Sequence, residues 1–91
     1  MYYVYILRCS DGSLYTGITN NLKKRLDAHN KKRASKYTRS RVPVDYVFIK
    51  SVENKSQALK LEIKIKSLSR DKKIAYIKSL ENEIDSLREN F

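Results

Sequence analysis

Aromatic and β-branched residues gather in short runs early in the chain, and later apolar residues recur every third or fourth position. The change marks the passage from strands to helices. Tyr2 to Arg8 alternates aromatic and β-branched residues and reads as a strand, as does Leu14 to Thr19. Ser10-Asp11-Gly12-Ser13 between them is a turn signal, with Gly12 free to take a positive φ, so the two strands form a hairpin. Loop length decides the facing of its tyrosines. A two-residue Asp-Gly loop puts Tyr5 and Tyr15 on opposite faces, a three-residue loop puts them on the same face, and the sequence leaves both open.

Helical spacing follows. Thr19 or Asn20 can cap a first helix running to about Asn30, with Lys31, Lys32 and Arg33 suiting its negative end. A basic loop from Lys31 to Pro43 leads to a third strand, Val44 to Val52. Asn54 and Gln57 stand as a capping box before a second helix to about Ser69. A third helix is expected over about 71–90, where Ile77, Leu80, Ile84, Leu87 and Phe91 alternate three- and four-residue spacings. That stripe fits packing within the domain, and pairing two copies through it is the alternative. The order β-β-α-β-α-α implies an α+β fold, a small three-stranded, mainly antiparallel sheet flanked by helices. It is one domain over 1–91, with a core of about 1–70 and a monomer as the expected state.

Charge narrows the partners. The net charge is +10, and it is uneven. Met1 to Tyr76 holds 18 basic and 6 acidic residues, whereas Ile77 to Phe91 holds 2 basic and 4 acidic. A polyanion is the implied partner, nucleic acid above all. The candidate contact residues are Lys31, Lys32, Arg33, Lys36, Arg39 and Arg41, with Tyr37 among them for stacking. A membrane surface fits less well, because no basic helix carries an aromatic insertion face. No run of residues is long and apolar enough to span a bilayer. The lone Cys9 excludes an internal disulfide or a Cys-rich zinc site. These features suit a reducing, cytoplasmic setting.

Some polar residues fall on faces that should be apolar. At about 100° per residue, Leu22 and Leu26 define the first helix's apolar stripe, and Arg25 and His29 lie on the rows beside it. In the second helix Ala58, Leu59, Leu61, Ile63, Ile65 and Leu68 cover a broad arc opposite Lys60 and Lys64. Glu62 falls inside that arc. A carboxylate there needs a partner, which is either Arg25 in a structural ion pair or a divalent metal.

Tyr3-Val4-Tyr5, Tyr15-Thr16-Gly17, Arg25 and His29 in one helix and Glu62 in a later one form an ordered set. It resembles the GIY-YIG endonuclease core over roughly Met1 to Arg70, and length and layout are most similar to the family's small stand-alone bacterial branch. The resemblance implies metal-dependent hydrolysis of phosphodiester bonds, with Mg²⁺ or Mn²⁺ at a single site on Glu62. It implies that Tyr15 or Tyr5 activates a water, that Arg25 stabilises charge on the phosphate and that His29 assists proton transfer. Tyr3, Val4, Thr16 and Gly17 are then motif residues, Gly17 keeping backbone close to the sheet. DNA is the expected substrate, preferably forked, nicked or single-stranded. The rival expectations are a nucleic-acid-binding module without catalysis and an interaction protein that pairs through the C-terminal stripe.

Overall fold

A computed structural model describes residues 1–91. Its strands are β1 (Tyr2–Arg8), β2 (Leu14–Thr19) and β3 (Asp45–Val52), and its helices are α1 (Leu22–Asn30), α2 (Lys36–Arg39), α3 (Lys55–Lys66) and α4 (Arg70–Ile77). A 3₁₀ turn at Arg88–Asn90 ends the chain. The sheet is antiparallel throughout, in the order β2-β1-β3. The α+β expectation holds. Being central, β1 is covered on both faces, and the run Val4 to Leu7 is wholly buried.

Two apolar cores lie on the two faces. Tyr5, Leu7, Leu22, Tyr46 and Ile49 build one beneath α1, while Val4, Ile6, Phe48, Ala58 and Ile65 build the other beneath α3. A bulge makes this division work. The β1–β3 register slips between Ile6 and Leu7, pairing Ile6 with Phe48 but Leu7 with Tyr46. Tyr46 thus shares Tyr5's face, stands edge-on to it at 5.3 Å and donates a 2.7 Å hydrogen bond to the Leu22 carbonyl.

The hairpin adopts the longer of the two expected loops. Cys9 N–H donates to the Ser13 carbonyl at 2.9 Å, leaving Ser10, Asp11 and Gly12 as the loop, with Gly12 at φ 82°. Tyr5 pairs with Gly17 and Leu7 with Tyr15, so Tyr5 and Tyr15 share a face.

Helix starts follow their side-chain caps. Asn21, one residue beyond the expected pair, caps α1 by accepting Lys24 N–H at 3.0 Å. Asn54 accepts Gln57 N–H at 2.9 Å, and the Gln57 side chain reaches back to Glu53 N–H at 3.0 Å. α1 ends in a Schellman turn, with Arg33 N–H on the Ala28 carbonyl and Lys32 N–H on that of His29. Lys32 supplies the left-handed residue, at φ 64°. A lysine is disfavoured there, and its side chain is exposed. Lys32→Gly is therefore expected to stabilise the fold by about 1 kcal/mol, read as a melting temperature raised by roughly 4–8 °C.

The expected helix over 71–90 is shorter. α4 stops at Ile77 because side chains take the carbonyls that further turns need: Ser79 Oγ donates to Tyr76 O at 2.7 Å and Asn82 Nδ2 to Ile77 O at 2.9 Å. The stripe is also split. Ile77 packs on the α3-side core and Ile84, Leu87 and Phe91 on the α1-side core, while Leu80 is fully exposed. The tail then runs along β3. Asn82 donates to Val47 O at 2.8 Å and accepts from Ile49 N–H at 3.1 Å; Glu83 N–H donates to Ile49 O and its carboxylate accepts from Ser51 N–H at 2.7 Å. No helix of the chain is long and apolar enough to cross a membrane.

Candidate active site

The site gathers on the α1 side of the hairpin. Tyr5 crosses Gly17 so closely that a Cβ on Gly17 would sit 2.5 Å from the Tyr5 hydroxyl oxygen and 2.6 Å from its Cζ. Glycine at 17 is thus a requirement of contact, not of backbone angle. The Tyr5 hydroxyl lies 2.8 Å from His29 Nε2, and His29 Nδ1 lies 2.9 Å from Thr38 Oγ1. All three residues are buried. Protons can be assigned by giving each buried donor an acceptor. Thr38 donates to the Ser35 carbonyl, a long contact at 3.4 Å, His29 Nδ1–H donates to Thr38, and Tyr5 donates to His29 Nε2. The reverse order would leave the Tyr5 proton with no protein acceptor.

Burial governs the titration of this chain. It pushes the Tyr5 phenol well above its ordinary range, with Tyr15 and Glu62 adding to the rise and Arg25 opposing it. It lowers His29 to about 4, helped by the positive charge of Arg25. His29 is therefore neutral at neutral pH. The folded imidazole binds a proton more weakly than the unfolded one, so the unfolded state takes up more protons as pH falls. His29's share of stability is full above about 6.5, shrinks as pH falls and is lost by about 4. Urea titrations across this window should show the loss, and His29→Gln should flatten it.

Helix α2, inside what reads from sequence as a loop, positions two site residues. Besides Thr38 on His29, it brings the Tyr37 ring against Tyr15 at 5.8 Å and 26°. Tyr15 also meets His29 edge-on at 5.3 Å. α2 is tied to the hairpin by Arg41, whose Nε donates to Asp11 at 3.0 Å and whose guanidinium lies 4.1 Å from the Tyr37 ring centre. Of the basic-loop residues, Arg41 and Tyr37 thus meet other protein groups, and Lys31 pairs with Asp27 at 3.0 Å. Lys32, Arg33, Lys36 and Arg39 are exposed outside any ion pair. Tyr3 packs beside the same core as Tyr5, whereas Val4 and Thr16 face α3, where Thr16 Oγ1 is buried without a partner.

Arg25 is half-buried on α1 and enters none of the protein's ion pairs. Its charge reaches Tyr5, His29 and Tyr46. The expected Arg25–Glu62 pair does not form. Glu62 pairs instead with Lys66, one turn on in α3, through Oε2 at 3.3 Å. The broad arc of α3 is narrower than its composition suggests: Ala58, Leu61 and Ile65 pack inward, while Leu59 and Ile63 are exposed. The Glu62 side chain, only 16% exposed, stays on the inward side, and its charge acts on Tyr5. No cluster of three or more His, Cys, Asp or Glu exists. A metal held by three such side chains is thus not what this site offers. One carboxylate with Oε1 uncommitted still fits a hard divalent ion that keeps most of its waters and takes oxygens from a substrate phosphate.

The model of the GIY-YIG catalytic domain matches residues 1–75. The chain belongs to the GIY-YIG family. Relatives of this GIY-YIG protein include UPF0213 protein CPE1444 of Clostridium perfringens, 53% identical over 79 residues (87% of this chain, 85% of that one). UPF0213 protein OB0043 of Oceanobacillus iheyensis is 49% identical over 82 residues, covering 90% of this chain and 95% of its own. The solution structure of UPF0213 protein BH0048 from Bacillus halodurans is similar, with a TM-score of 0.58 and 39% identity, over 89% of this chain and 87% of that one. Sequence reasoning about this GIY-YIG domain missed Thr38 and α2. The Ser35-Lys36-Tyr37-Thr38 order, a cap followed by helix-compatible residues, was the available signal.

Proposed function

We propose that this GIY-YIG domain is a metal-dependent endonuclease that hydrolyses phosphodiester bonds in DNA, working as one unit over 1–91. The observation that carries the reading is a set of uncommitted groups around Tyr5: Tyr15 with no hydrogen bond on its hydroxyl, Arg25 without an acidic partner, and Glu62 with a free oxygen. In-line attack at phosphorus needs a positioned water and compensation for the charge that builds on the phosphate. Tyr15 is half-exposed and suits the first task, orienting the water and relaying its proton to solvent. Tyr5, buried and donating to His29, suits holding the pocket's shape. Arg25 meets the non-bridging oxygens. Glu62 would hold Mg²⁺ or Mn²⁺, which when bound supplies positive charge beside the phosphate.

Forked, nicked or single-stranded DNA is the proposed preference, since the exposed cations Lys32, Arg33, Lys36 and Arg39 offer charge without a helix shaped to read bases. Cleavage of labelled branched, single-stranded and duplex DNA by wild type and Glu62→Ala, with Mg²⁺, Mn²⁺ or EDTA, tests the reading. Activity should vanish both with EDTA and with Glu62→Ala. Undiminished cleavage by Glu62→Ala would refute it. The second reading, a binding module without catalysis, draws on the Lys66 ammonium that already neutralises Glu62; it predicts salt-sensitive DNA binding and no cleavage under any metal.

A further inference from the structure

We propose that Tyr2 and Lys55 form a second nucleotide subsite, on the far side of Arg25 from Lys24 and Arg33, so that a nucleic-acid strand crosses the end of β2 with Arg25 at its midpoint. The inference rests on the nuclease reading and extends it to the path of the substrate. Two clefts meet at Arg25, sharing it with Thr19 and Asn20. The first, about 360 Å³, lies on the α1 side and is lined also by Lys24 and Arg33. The second, about 320 Å³, adds Tyr2, Ile18 and Lys55.

They open on different sides of the sheet. Tyr2 and Ile18 pack with the α3-side core, whereas Arg25 comes from α1, over the other face. Arg25 therefore reaches around the end of β2 and belongs to both. Charge separates these clefts from the rest of the surface. Neither has an acidic residue in its wall, while the three other sizeable clefts contain Asp27, Asp45 or Glu81. Their four cations, Lys24, Arg25, Arg33 and Lys55, enter no ion pair. Two acid-free clefts either side of the arginine match what a scissile phosphate requires, since it carries chain in both directions. The first, with Lys24 and Arg33 beside polar Asn20, suits a phosphate. The second pairs one cation with a half-buried tyrosine ring and an isoleucine, which suits a phosphate followed by a stacked base.

The test is fluorescence-anisotropy binding of a labelled single-stranded DNA in EDTA, which separates binding from cleavage, across a salt series. Lys55→Ala should weaken binding several-fold at low salt and reduce the salt slope by about 0.7, one phosphate contact on a single strand. Tyr2→Leu, which keeps an apolar group on the core, should weaken binding roughly 5- to 100-fold with the slope unchanged. Lys72→Ala, an equal loss of charge on distant α4, should leave the slope alone, and unchanged thermal melts would show that each variant folds. If Arg33→Ala weakens binding while Lys55→Ala and Tyr2→Leu do not, the second subsite is overturned and the nuclease reading stands. A general loss, in which Lys72→Ala matches Lys55→Ala, also overturns the subsite. Wild type that binds no oligonucleotide overturns both.

Discussion

Arg25→Ala should lower the rate of phosphodiester cleavage by about 10²–10³-fold, the usual effect of removing one preorganised donor from a developing oxyanion. Stability should change little, because Arg25 has no acidic partner to strand. Arg25→Lys should recover only part of the rate, since an ammonium cannot bridge two phosphate oxygens as a planar guanidinium does. A second readout separates this role from a structural one. Burial lowers His29 most and Arg25 adds to it, so removing Arg25 should raise the His29 pKa above about 4 while burial still holds it below the ordinary value, observable by NMR titration of the imidazole. Loss of rate without movement of His29 would place the guanidinium elsewhere than beside Tyr5 and His29. Rate retained within threefold would refute the charge-stabilising role.

Gly17→Ala should be severely damaging, since a methyl there has no room. The new Cβ meets the Tyr5 hydroxyl oxygen at 2.5 Å and the ring carbon Cζ at 2.6 Å, and that ring is walled in by Tyr46 and fastened to His29. Overpacking of this kind costs typically 1–3 kcal/mol, and displacing Tyr5 strands a buried hydroxyl and imidazole for 1–3 more. A loss of about 3 kcal/mol in urea unfolding is expected, with cleavage falling in parallel. Tyr5→Phe should not rescue the variant, because Cζ remains in the way, whereas Tyr5→Leu should restore part of the stability. Equal rescue by both would mean that the hydroxyl alone makes the clash.

Local signals read from the sequence were those with a local cause. The Asn54/Gln57 box, the aromatic and β-branched make-up of β1 and the apolar stripe of α1 each act within one turn or one strand, and all three elements form in the structure. Glu62 stood out on a helical wheel because its position on an inward arc depends on α3 alone. Its partner did not, since Lys66 lies on the same helix while Arg25 comes from across the sheet, and only tertiary placement separates them. The facing of Tyr5 and Tyr15 hung on one loop residue. The short α2 carries too few residues for a period to emerge, so the Thr38–His29–Tyr5 chain was invisible. The tail misled for a different reason: its apolar spacing is helical, but Ser79 and Asn82 spend their hydrogen bonds ending the helix.

The tail's run along β3 makes the sheet's two borders unlike. Beside β3, Asn82 and Glu83 occupy the amides of Ile49 and Ser51 and the carbonyls of Val47 and Ile49, so no foreign strand can add there. The border at β2 has no such cover and is where Arg25 turns the corner. Both Asn82 and Glu83 lie beyond residue 75, where the family match ends. The matched unit therefore does not guard itself. A chain cut back to the matched residues would keep every proposed catalytic group yet lay bare a second sticky border and uncover both cores where Ile77, Ile84, Leu87 and Phe91 pack, so lowered stability together with self-association would be the first symptoms.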